Sequence, residues 1–130
     1  MESLYKGGAG GYEFHAESVK GEIIIDPAPA VRAALKDRKA GRSAGFISGR
    51  FHNGVSAMAV AVAERLARET GINNFCLSGG VFQNRVLLEL VTAGLERRGL
   101  KVFSNIQVPA NDGGVSLGQA WYAIRGYRQA

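Results

Sequence analysis

Phe75-Cys76-Leu77-Ser78-Gly79-Gly80-Val81-Phe82-Gln83-Asn84 is the stretch from which the fold is read. A short apolar run ends in two glycines and an amphipathic pattern follows directly, so the expected geometry is a buried strand turning tightly into a helix. Gly79 and Gly80 lack Cβ atoms and would let the backbone approach a phosphate closely. The amides of residues 81–84 would sit at the partly positive start of the helix. Glycine pairs also mark ordinary turns that need a positive φ, so the ten residues alone leave both readings open. Cys76 alternates with apolar neighbours and is expected to be buried as a small hydrophobe. As the sole cysteine it excludes an internal disulfide and a multi-cysteine metal centre.

Downstream, Leu87, Leu90, Val91 and Leu95 form one face of a helix over about residues 84–98, with Gly99 at the left-handed position beyond its end. A strand over residues 101–104 leads to a second glycine turn, Pro109-Ala110-Asn111-Asp112-Gly113-Gly114. A final helix follows, with Leu117, Ala120, Trp121 and Ile124 on one face. Both turns place a glycine pair at a helix entrance, which in an α/β sheet lies at the carboxyl ends of strands, where ligand crevices form. Asp112 in the second turn suits either a metal ligand or a helix cap.

Upstream, Val55, Met58 or Ala59, Val62 and Leu66 recur at helical spacing over residues 51–69, and Gly71 ends the run. Residues 43–50 are ambiguous, because Gly45 and Gly49 interrupt the pattern around Phe46 and Ile47. His52 and Asn53 lie near the start of this helix, and His15 lies on the first strand. Neither histidine has a partner at metal-ligand spacing, so both are expected in hydrogen-bonded structural roles. Strands over residues 12–18 and 22–25 form a hairpin about Val19-Lys20-Gly21. Asp26 is expected to cap a helix that has Pro27 at its first position and runs to Ala40. The order ββααβαβα predicts one α/β layer structure, a mixed sheet with packed helices.

The 130 residues make one domain or part of one, with 46% hydrophobic and 21% charged residues, the composition of a folded globular chain. The longest weakly charged stretch, residues 51–63, is too short to span a bilayer. The first eleven residues do not read as a secretory signal, so no membrane role and a cytoplasmic location are expected. Sixteen Lys and Arg against eleven Asp and Glu leave a net +5. The basic residues are dispersed over helix faces without interleaved aromatics, which argues against nucleic acid as a partner.

Taken together, the motif Ser78 through Asn84, the motif Val108 through Gly114 with Leu117-Gly118-Gln119-Ala120, and Arg50-Phe51-His52-Asn53 upstream resemble the C-terminal region of the hydrogenase-maturation carbamoyltransferases, the HypF family, over about residues 12–125. The resemblance implies the second lobe of a domain with the two-lobed fold of the actin, hexokinase and Hsp70 ATPases. On it, residues 1–11 are a lead-in or linker and residues 12–130 the lobe. It further implies a nucleotide cleft for ATP or carbamoyl-adenylate, contacted by Gly79 and Gly80 and also by Gln83 and Asn84. Asp112 becomes a ligand of a divalent metal, iron or zinc, shared with a lobe absent from these residues. Arg50, His52, Asn53 and Asn111 fall near the cleft with no assigned chemistry, and no catalytic residue is identified. The implied reaction takes carbamoyl phosphate and ATP through carbamoyl-adenylate and transfers the carbamoyl group to the C-terminal cysteine thiol of a partner, HypE, for the cyanide ligands of NiFe hydrogenase. Ala110 stands where the family pattern has a second proline. With the other lobe and the family's further domains having no counterpart here, the lobe alone is expected to be inactive and to expose surface that favours a homodimer. The alternative reading is a non-catalytic nucleotide-binding or assembly module of the same fold.

Overall fold

A computed structural model describes residues 2–5 and 10–126. The expected hairpin is present. Strand β1 (His15–Val19) pairs antiparallel with β2 (Glu22–Asp26), with His15 opposite Asp26 and Val19 opposite Glu22. Lys20 (φ 52°) and Gly21 (φ 86°) make the two-residue turn, both at the positive φ that matches the right-handed twist of the flanking strands. Helix α1 (Ala28–Lys39) starts one residue later than expected. Pro27 occupies the cap position, and Asp26, the last residue of β2, accepts the Ala28 amide at 2.8 Å through its side chain.

Residues 44–50 prove to be helix, with Ser43 as its cap. Helix α2 (Ala44–Thr70) is capped by Ser43, whose hydroxyl accepts from the Phe46 amide at 3.2 Å, and is closed by Gly71 at φ 74°. Gly45 and Gly49 do not interrupt it, because they belong to a buried stripe of small residues. The stripe continues through Ser48, His52 and Ser56 to Val60, Ala63 and Ala67. Helix propensity lost at the glycines is offset by close packing along that face.

Strand β3 (Asn74–Leu77), helix α3 (Arg85–Glu96) and strand β4 (Lys101–Ser104) form a βαβ unit, with Asn74 opposite Lys101 and Leu77 opposite Ser104 in a parallel pair. The core gathers Val60, Ala63 and Ala67 from α2 around Leu77, Leu87, Val91, Leu95 and Leu100. Leu87, Val91 and Leu95 on α3 each contribute about 1.5–3 kcal/mol by burial. Gly94 lets α3 approach α2, since a Cβ there would lie 2.6 Å from Val60 Cγ2. Gly99 closes the element at φ 72°, as expected.

Two expectations are corrected. Among the described residues the parallel and antiparallel pairings belong to separate two-stranded sheets rather than to one mixed sheet. Cys76 is exposed, not buried. Among the described residues helices cover only the face of the parallel pair that carries Phe75, Leu77 and Val102, so the alternate positions Cys76 and Phe103 lie open, Phe103 at 56%. The last helix, α4 (Val115–Gly126), forms as expected but buries none of its residues, leaving Leu117, Trp121 and Ile124 exposed. No helix among the described residues is long and apolar enough to cross a membrane.

Candidate functional site

The two glycine turns meet. Gly79 follows β3 at φ 98°, a conformation that favours glycine, and its amide donates to the Ala110 carbonyl at 2.7 Å. The hydrogen bond joins the loops that follow the two parallel strands, at the carboxyl end of the pair. Gly79 and Gly80 do not open directly onto the α-helix. A 3-10 turn (Gly80–Gln83) intervenes, with Phe82 donating to the Gly79 carbonyl at 3.1 Å and Asn84 to the Val81 carbonyl at 3.2 Å. Among the described residues no hydrogen bond engages the amides of Gly80 and Val81. A Cβ placed at either Gly79 or Gly80 would meet nothing within 4 Å, so the space beside these glycines is open.

Asn84 stands between the 3-10 turn and α3 as the helix cap, its Oδ1 accepting the Leu87 amide at 3.0 Å. Its Nδ2 lies 2.9 Å from His52 Nε2. Both ends of the side chain are therefore engaged within the fold, whereas Gln83 is exposed.

In the second turn the cap is Asn111, whose Oδ1 accepts the Gly113 amide at 3.0 Å. Asp112 is not the cap. It is exposed at the head of a second 3-10 turn (Asp112–Gly114), with no partner for its carboxylate among the described residues. Gly114 is required by the loop itself, since a Cβ there would lie 2.9 Å from both the Pro109 carbonyl oxygen and Val108 Cγ1. Among the described residues no three His, Cys, Asp or Glu side chains cluster as a metal would need. Asp112 thus offers one unaccompanied carboxylate among the described residues.

Arg50-Phe51-His52-Asn53 lies on the second and third turns of α2 and ties neighbouring segments to it. Arg50 reaches Asp37 of α1 at 3.1 Å and stacks over the Tyr12 ring, 4.6 Å from its centroid. Tyr12 donates its hydroxyl to Asp37 at 2.8 Å and its amide to the Arg50 carbonyl at 3.0 Å. Burial, and next the hydrogen bond to Asp37, pushes the Tyr12 phenol up to about 12, with Arg50 opposing. Asn53 donates to the Gly10 carbonyl at 3.1 Å and accepts from the Tyr5 hydroxyl at 3.3 Å. His52 is 4% exposed, with Nδ1 2.8 Å from the Ser48 carbonyl oxygen, a structural setting of the expected kind.

The structure therefore joins Gly79 to the loop of Ala110 and Asn111, and joins Asn84 to His52. The hydrogen bonds of Arg50 run instead to Asp37 and Tyr12. Sequence reasoning missed Tyr5, Tyr12, Asp37 and Gly54, which hold the motif in place. For Gly54 a signal existed, a glycine inside an otherwise alanine-rich helical run.

The family model described as carbamoyltransferase, Kae1-like domain, second subdomain, matches residues 1–119. Carbamoyltransferase HypF from Rhizobium leguminosarum bv. viciae is 34% identical over 116 residues, 88% of this chain and 14% of that protein. Carbamoyltransferase HypF2 from Cupriavidus necator is 33% identical over 101 residues, 78% of this chain and 12% of that protein. The solved structure of full-length HypF in its phosphate- and nucleotide-bound form superposes with a TM-score of 0.88 at 41% identity, covering 94% of this chain and 16% of that one. The chain accordingly spans 12 to 14% of the length of these two relatives.

Proposed function

This chain belongs to the HypF carbamoyltransferase family as the second subdomain of its Kae1-like domain, and from that premise we propose that it forms one wall of a nucleotide site in a carbamoyltransferase. The observation that carries the reading is the 2.7 Å hydrogen bond from Gly79 to Ala110, which sets the two glycine turns side by side at the carboxyl ends of the parallel strands. The unengaged amides of Gly80 and Val81 beside open space are suited to phosphate oxygens of ATP or carbamoyl-adenylate. The related full-length protein was solved with phosphate and nucleotide bound, which supports the same ligand class here.

Asp112 would hold one position of a divalent iron or zinc ion, the remaining donors coming from beyond the described residues. That ion would polarise the carbamoyl carbonyl. The exposed carboxylate and the transfer of capping to Asn111 fit this role. Within the whole protein the reaction takes carbamoyl phosphate and ATP to carbamoyl-adenylate and passes the carbamoyl group to the C-terminal cysteine thiol of HypE, in the cytoplasm. The chain by itself supplies a wall of the cleft and one ligand, and is inactive.

Gly80→Ala tests the nucleotide wall. The substitution meets nothing in the fold, so thermal stability should hold while ATP affinity, read by titration calorimetry, falls about tenfold because the methyl group crowds the phosphate approach. Unchanged affinity would refute the wall. Asp112→Ala in the whole protein should release metal, read by elemental analysis, and abolish transfer to a HypE C-terminal peptide with folding retained. Metal and activity both kept would show that Asp112 is no ligand.

A further inference from the structure

We propose that His52 is a positioning residue for the Gly79–Asn84 turn, acting on the proposed phosphate wall through Asn84 without touching the ligand. The directions of the hydrogen bonds carry the inference. The Ser48 carbonyl can only accept, so the histidine Nδ1, 2.8 Å away, bears the hydrogen. The neutral ring then presents Nε2 as an acceptor, 2.9 Å from Asn84 Nδ2. Asn84 meets it with its amide nitrogen because its oxygen is taken by the Leu87 amide at 3.0 Å. Every atom in the relay from Ser48 to Leu87 has one role that satisfies all the others, so the relay fixes a single orientation of Asn84.

That orientation matters because Asn84 is the hinge residue of the turn. Its backbone amide closes the 3-10 turn onto the Val81 carbonyl at 3.2 Å, and its side chain starts α3. Anchoring it to α2 fixes where the 3-10 turn leaves the helix, and hence where the Gly80 and Val81 amides point. Burial of His52, with the Tyr5 ring edge-on at 5.5 Å, keeps water from competing for the tie. A buried histidine in a purely space-filling role would need no acceptor directed at the cap of another helix.

The test uses three variants of the full chain. His52→Leu keeps bulk and removes the acceptor. His52→Gln restores an acceptor oxygen, and Asn84→Ser keeps a helix cap but is too short to reach His52. Hydrogen exchange is followed at the Gly79, Phe82 and Asn84 amides and, as reference, at the amides of α3 around Val91 and Leu95. In His52→Leu and Asn84→Ser, exchange in the turn should quicken about tenfold relative to the reference, with ATP affinity falling by a similar factor, and His52→Gln should recover both. Turn exchange unchanged in Asn84→Ser, or turn and reference quickening equally, would overturn the inference. The nucleotide reading underlies only the affinity arm. If the wild-type chain binds no ATP while turn exchange responds as stated, the positioning role stands and the phosphate wall falls.

Discussion

Gly54 lies where α2 passes beneath the backbone of Tyr12. A Cβ at this position would sit 2.9 Å from the Tyr12 amide nitrogen and press still closer on its carbonyl oxygen, and a Cβ at Gly11 would lie 2.6 Å from the Gly54 nitrogen. Both clashes are with backbone, which cannot swing aside as a side chain can. Gly54→Ala should therefore cost about 3 kcal/mol in urea unfolding, at the upper end for overpacking. Gly118→Ala, in a helix where a Cβ meets nothing within 4 Å, should instead gain up to about 1 kcal/mol. Tyr12 adds a pH dependence. Its phenol is pushed up to about 12, first by burial and next by the hydrogen bond to Asp37, so the folded chain holds the proton more tightly than the unfolded chain, where tyrosine titrates near 10. Its contribution is complete below pH 10 and is lost as pH rises through about 12. The difference in urea midpoint between wild type and Tyr12→Phe should shrink across that window. A constant difference would mean that the Asp37 contact does not depend on the phenol proton.

At the scale of elements, what the sequence made legible was whatever has a period or a cap. Helices α3 and α4 followed from their apolar spacing, α1 from the Asp26-Pro27 start, the hairpin from its Val19-Lys20-Gly21 turn, and the ends of α2 and α3 from Gly71 and Gly99. The first two turns of α2 were not legible, because Gly45, Ser48 and Gly49 are buried for smallness rather than hydrophobicity, and an apolar template does not register them. The 3-10 turn ahead of α3 was hidden as well, since Val81 and Phe82 read as helical residues when nothing in the sequence marks the backbone bonds to Gly79 and Val81. Of the site, the two glycine turns were visible, but the contact between Gly79 and Ala110 and the tie from Asn84 to His52 join residues more than thirty positions apart. Periodicity carries no such information. Cys76 failed for a related reason. Alternation told which residues share a face of β3, not which face is covered. Because that face is open, Cys76 should react with a thiol reagent in the native chain at about the rate of a free exposed thiol. Protection until unfolding would show the face to be covered in solution.

For the molecule as a whole, stability is concentrated in α2, β3 and α3, whose residues make up the core cluster with Leu100 just ahead of β4, while α4 buries nothing. A twelve-residue helix is marginal on its own in water. Local features support α4: the Asn111-capped 3-10 turn that leads into it and Arg125 stacked 4.7 Å over Trp121. Removing residues 115–130 should accordingly shift the melting temperature of the chain by no more than about 4 °C, less than 1 kcal/mol for a domain of this size. The same helix leaves Leu117 at 56%, Trp121 at 59% and Ile124 at 60% exposure. Apolar residues gathered in this way on one short element lower their free energy by meeting another surface, and for the isolated chain at high concentration the expected surface is a second copy. Sedimentation should show concentration-dependent dimerisation of the full chain, lost both in the truncated form and in Trp121→Glu, with the core melting unchanged in each. A truncated chain that unfolds would place α4 within the cooperative core, and a full chain that stays monomeric would mean the exposed face of α4 is too small to hold a copy.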